Sequence, residues 1–167
     1  MCKTWKEMSA IGTNLNDPRP IGMGMGILGW IALASDDYGK ALNCAEECLQ
    51  IAYTPNERMV ALGAKGAALA FLKRLEEGQL VLSDIRRQLI ELNWRYELNL
   101  LGPPFGIVAL LNGKIREGIR IINGVIATAR RDGWHVAEDW AKLDGSINEL
   151  FFSCRRSADM TPSVDLA

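Results

Sequence analysis

The sequence predicts an all-α fold in which about eight helices pair into hairpins and the hairpins stack as an array. A small-residue pair with an internal spacing of twelve occurs three times: Gly29 with Ala41, Gly66 with Gly78, and Gly106 with Gly118. The copies lie 37 and then 40 residues apart, a period that marks units able to bury their apolar faces only against neighbours. Each unit also carries a helical stripe at spacings of three and four: Leu42, Ala45, Leu49 and Ala52; Leu82, Ile85, Leu89 and Leu92; Ile115, Ile119, Ile122 and Ile126. Strand signals are nearly absent, with no sustained alternation and no Asn-Gly or Asp-Gly hairpin between β-branched runs.

Helices are expected at about 2–13, 18–34, 37–52, 56–74, 76–93, 97–112, 115–132 and 135–152. The first ends in Asn16-Asp17-Pro18, because proline suits a first helical turn and not an interior. Ser35, Asp36 and Asp37 form a turn with N-cap chemistry ahead of Tyr38. Thr54-Pro55 opens the next helix, with Glu57 placed to support its N-terminus. Gly102-Pro103-Pro104 interrupts or kinks the start of the third unit, and Gly113 and Gly133 end two later helices. Short turns force antiparallel neighbours. The organisation expected is one domain over 1–152: a leading helix at 2–13, repeats near 18–54, 55–94 and 95–133, and a closing helix at 135–152. Residues 153–167 read as a disordered tail.

Glycine inside a helix costs about 1 kcal/mol relative to alanine, so repetition at one register implies close backbone approach. Gly29, Gly66 and Gly106 fall midway along the first helix of each hairpin, and Ala41, Gly78 and Gly118 early in the second. This register resembles the tetratricopeptide repeat, with Leu28-Gly29 followed by Tyr38, Ala41, Ala45 and Cys48. The usual closing proline is missing, and the units exceed the family's usual length. Further phrases, among them Leu28-Gly-Trp-Ile-Ala, Ala45-Glu-Glu-Cys-Leu, Ala61-Leu-Gly-Ala-Lys-Gly-Ala-Ala and Gly113-Lys-Ile-Arg-Glu-Gly-Ile, resemble the C-terminal repeat region of bacterial class III adenylate/guanylate cyclase-like proteins. The resemblance spans about 14–152 and implies a tetratricopeptide-like, right-handed helical-hairpin array. No cyclase catalytic domain and no nucleotide-binding ATPase module is present, so cyclase activity is not carried over.

Composition narrows the function classes. The chain of 167 residues is 49% apolar and 23% charged, with a net charge of −1, which argues against a dedicated nucleic-acid binder. Arg86, Arg87, Arg116, Arg120, Arg130 and Arg131 are read as a solvated helix face with interleaved acids. No run approaches the ~20 apolar residues that cross a bilayer, the N-terminus lacks an apolar signal core, and the four cysteines show no disulfide-scaffold spacing. A cytoplasmic location, without membrane or nucleic-acid partners, is the expectation.

No residue set supports catalysis. Gly24-Met-Gly-Ile-Leu-Gly29 matches a dinucleotide fingerprint in letters, but that reading needs a preceding strand, and Gly29 already belongs to the repeat. Cys44 and Cys48 are four apart on one helix, yet zinc takes about four ligands, and His135 and Cys154 are remote in sequence. His135 has no nucleophile pattern around it. The adjacent acid pairs Asp36-Asp37, Glu46-Glu47 and Glu76-Glu77 point about 100° apart on a helix, too far to share a proton or a metal. No enzyme activity, cofactor or metal is expected.

What remains is a groove. The resemblance implies groove-facing positions one, four and five after each small residue: Trp30, Leu33 and Ala34; Ala67, Ala70 and Phe71; Ile107, Leu110 and Leu111. The Lys and Asn of a carboxylate clamp are missing there, so the expected ligand is a protein or an apolar peptide segment, or a second copy of this chain. The leading helix, with Trp5 and Met8, has no complete repeat before it, which favours a homodimer. The alternatives are a small-molecule or nucleotide-sensing regulatory domain, with Lys65 or Arg116 as anchor, and a homodimeric structural remnant with no separate ligand.

Overall fold

In a computed structural model of the chain, described here over residues 2–133, the elements are α1 (Cys2–Leu15), α2 (Pro18–Leu33), α3 (Tyr38–Ile51), α4 (Pro55–Phe71), α5 (Leu75–Glu91), α6 (Arg95–Leu100), α7 (Gly102–Leu111) and α8 (Ile115–Asp132). Every regular element among the described residues is helical. The expected closing helix at 135–152, the tail, His135, Cys154 and the side chains of Cys2, Trp5 and Met8 lie outside what is described. Contacts divide the chain into two compact units, Met1–Glu97 and Leu98–Ala167.

Side-chain caps account for the starts of α2, α3 and α4. Asp17 accepts from Arg19 N–H at 3.0 Å ahead of α2, and Asp37 from Lys40 N–H at 3.1 Å ahead of α3. Thr54 and Glu57 form a reciprocal capping box at α4. The ends of α2, α4 and α7 are alike. In each, one N–H reaches back five residues while the N–H before it reaches back three, the two-bond pattern of a Schellman turn. Asp37 donates to Ala32, Arg74 to Leu69 and Lys114 to Ala109, each at 2.9 Å. The residue before each donor is left-handed: Asp36 at φ 58°, Lys73 at 67° and Gly113 at 75°. These three lie seven residues after Gly29, Gly66 and Gly106, so the turn recurs with the glycines.

Two boundaries differ most from the sequence expectation. The helix expected at 56–74 stops at Phe71, because Leu72 to Arg74 are used by that turn. The helix expected at 97–112 is two helices, α6 and α7, separated at Leu101; Pro103 and Pro104 fit only a helix start.

Lysine is an unsuited residue for the left-handed region, where a Cβ costs about 1–2 kcal/mol. Lys73 is exposed, and the third unit has Gly113 in its place. Lys73→Gly is therefore expected to stabilise the chain by about 1 kcal/mol after the added freedom of the unfolded glycine is counted. Urea unfolding measures it, and an unchanged midpoint would contradict this account of the turn.

In the first unit α1 packs on α2, α2 on both α3 and α4, α3 on α4, and α4 on α5; in the second α7 packs on α8. The small pairs sit at the crossings. A methyl built on Gly29 would lie 3.5 Å from Ala41 O, one on Gly66 3.3 Å from Gly78 O, and one on Gly106 3.2 Å from Gly118 O. The pairs with glycine in both places thus cross closest. Around the first crossing Ala32, Leu33, Ala41, Ala45, Ala64, Ala67 and Ala68 form a core cluster, with Trp30, Tyr38, Leu42 and Phe71 packed against it. In α5, Leu82, Ile85 and Leu89 are buried as expected, but Leu92 is exposed because the helix has already ended at Glu91. In α8 the buried face is Gly118, Ile122, Val125 and Ala129. Ile115, Ile119 and Ile126 sit half-buried on its flank, because close approach at Gly118 decides which side of α8 turns inward.

Candidate functional site: the first-helix faces

In the first unit, α2 and α4 lie side by side. The Trp30 indole N–H donates to Val60 O at 3.2 Å, tying the last turn of α2 to α4. Tyr38 and Phe71 stack with ring centroids 4.7 Å apart and planes within 9°. The Tyr38 hydroxyl donates to Asp36 Oδ1 at 2.6 Å, so the left-handed turn residue also orients the ring.

The nine groove positions are not equally available. Leu33, Ala67, Ala70, Ile107 and Leu110 are buried; Trp30, Phe71 and Leu111 are half-buried; Ala34 is exposed. In the first unit the surface left to a partner is built from Trp30, Ala34 and Phe71, with Leu33 and Ala67 beneath it as core. Spacing alone did not reveal this division, since whether a position faces a neighbour or solvent depends on how closely the helices cross.

The other chemical candidates are occupied. Gly24, Gly26 and Gly29 lie within α2, where backbone N–H groups serve the helix and not a phosphate. Lys65 pairs with Glu46 at 2.8 Å. Cys44 and Cys48 are buried, and burial pushes both thiols above their ordinary pKa, away from the thiolate that metal binding and nucleophilic attack require. The Cys48 thiol donates to Gly22 O at 3.1 Å, a packing role for a small apolar side chain. Among the described residues no group of three His, Cys, Asp or Glu is placed to hold a metal, and no helix is long and apolar enough to cross a membrane.

Glu57 is a charged residue that helical spacing does not mark as buried. It is 3% exposed, with Oε2 accepting from Tyr53 N–H at 2.8 Å and Thr54 N–H at 2.9 Å. Its carboxyl lies against Gly22 of α2, so it fixes the start of α4 relative to α2. The signal was legible as Thr-x-x-Glu, the capping-box spacing.

Comparison of the chain with protein-family models, with curated proteins and with solved structures found no match.

Proposed function

We propose that the chain is a non-catalytic helical-repeat scaffold of the tetratricopeptide-like kind, which docks a protein or an apolar peptide segment on its first-helix faces. The observation that carries this reading is the threefold recurrence of one hairpin: a crossing at paired small residues, followed seven residues later by the same left-handed turn. Within the first unit, α2 and α4 present equivalent helix faces side by side, a geometry suited to holding an extended partner. A regulatory place among cyclase-like signalling proteins rests on the sequence resemblance alone. The nucleotide-sensing alternative is weakened because Lys65, one of its two anchors, is committed to Glu46.

Ala34→Glu tests the reading without disturbing the core, since Ala34 is exposed. In quantitative affinity capture from the source cell, partners held by the wild-type chain are expected to be lost with Ala34→Glu and kept with Ser83→Glu, an exposed control on α5. Identical partner sets for both variants would refute the α2–α4 face. A dimer that dissociates in Ala34→Glu would assign that face to a second copy.

A further inference from the structure

Helix α8 separates its faces by charge. Gly118, Ile122, Val125 and Ala129 take the buried side. At about 100° per residue, Arg116, Arg120, Asn123, Ala127, Arg130 and Arg131 fall within an arc of about 100° on the opposite side, and all are exposed. Arg131 is held by Asp132 at 2.7 Å. Lys114, Arg116 and Arg120, by contrast, have no carboxylate within 4.0 Å among the described residues.

The helix itself carries Arg116, Arg120, Arg130 and Arg131 against Glu117 and Asp132. The fold gains nothing from placing Lys114 at the N-cap of α8 and Arg116 in its first turn, where the helix dipole disfavours cations. The stripe has no aromatic side chain on which a base would stack. A guanidinium fork matches a carboxylate in two parallel hydrogen bonds, and the half-buried Ile119 and Ile126 run beside the arginines.

We infer that the outer face of α8 docks an acidic protein segment, whose carboxylates meet Arg116 and Arg120. This surface is separate from the α2–α4 face and uses no residue of it, so either can fail alone.

The test uses the full chain and a fluorescein-labelled peptide of glutamates with a leucine at every fourth position, read by anisotropy at low and at physiological salt. Arg116→Glu/Arg120→Glu is expected to weaken binding about tenfold or more, while the matched control Arg86→Glu/Arg87→Glu changes it less than about twofold. The neutral Arg116→Gln/Arg120→Gln gives an intermediate loss and replaces the reversal variant should circular dichroism show that one misfolded. Equal losses in the α8 and control variants would overturn the inference. So would tighter binding of an oligonucleotide of the same charge, which would make the face a nucleic-acid surface instead.

Discussion

Gly78→Ala is expected to destabilise the chain by about 3 kcal/mol, the upper end of what overpacking costs. The new Cβ would lie 2.6 Å from Gly66 O and 3.1 Å from Ala70 N. Both are backbone atoms, so no side chain can swing away, and α4 and α5 must separate. The ~1 kcal/mol that alanine gains over glycine in a helix is too small to offset this. Gly118→Ala repeats the situation in the second unit, with Gly106 O at 2.7 Å. Two further glycines serve as internal controls. A Cβ on Gly29 meets Ala41 O and Ala64 Cβ at 3.5 Å, ordinary contact, and one on Gly124 meets nothing within 4 Å. Gly29→Ala is therefore expected near neutral and Gly124→Ala about 1 kcal/mol stabilising. Urea unfolding of the four variants separates crossings too close for a methyl group from positions with room for one; a Gly78→Ala variant as stable as wild type would show that the crossing is not closely packed.

The same positions show what was legible in the sequence. A residue type allowed by only one local geometry announces itself. The paired glycines predicted crossings, Asp37 and Thr54 predicted helix starts, and Gly113 and Gly133 predicted helix ends; each is found where expected. Lys73 and Asn93 perform the same turn as Gly113 and were not foreseen, because tertiary packing of the flanking helices overrides the weak local preference of lysine. The break at Leu101 was visible only as a consequence of Pro103 and Pro104. Burial of the groove positions was the least legible part. Leu33 and Ala34 are adjacent and both apolar, yet one is 8% exposed and the other open to solvent, a difference made by the approach of α3 and α4 and by nothing in the two residues themselves.

Glu57→Ala carries the second large expected effect, a loss of about 2 kcal/mol. The carboxylate is buried while satisfying the backbone N–H groups of Tyr53 and Thr54, and the Thr54 hydroxyl accepts in return from Glu57 N–H at 3.2 Å. Alanine removes both acceptor bonds and leaves a void against Gly22. Glu57→Gln keeps one amide oxygen in reach of the same donors and the same volume, so it is expected to cost under about 1 kcal/mol. Thr54→Ala is expected to cost about 1 kcal/mol. The two halves of the box hold one turn in place, so Thr54→Ala/Glu57→Ala should cost less than its single variants added together, by about 0.5 kcal/mol or more. Additive losses in the double-mutant cycle would mean that the two side chains cap α4 independently. A Glu57→Ala loss below about 0.5 kcal/mol would mean that water replaces the carboxylate at the N-terminus of α4. In that case Glu57 would not fix the start of α4 against α2, and the α2–α4 face would depend on the Trp30 bond to Val60 and on the core packing around Gly29.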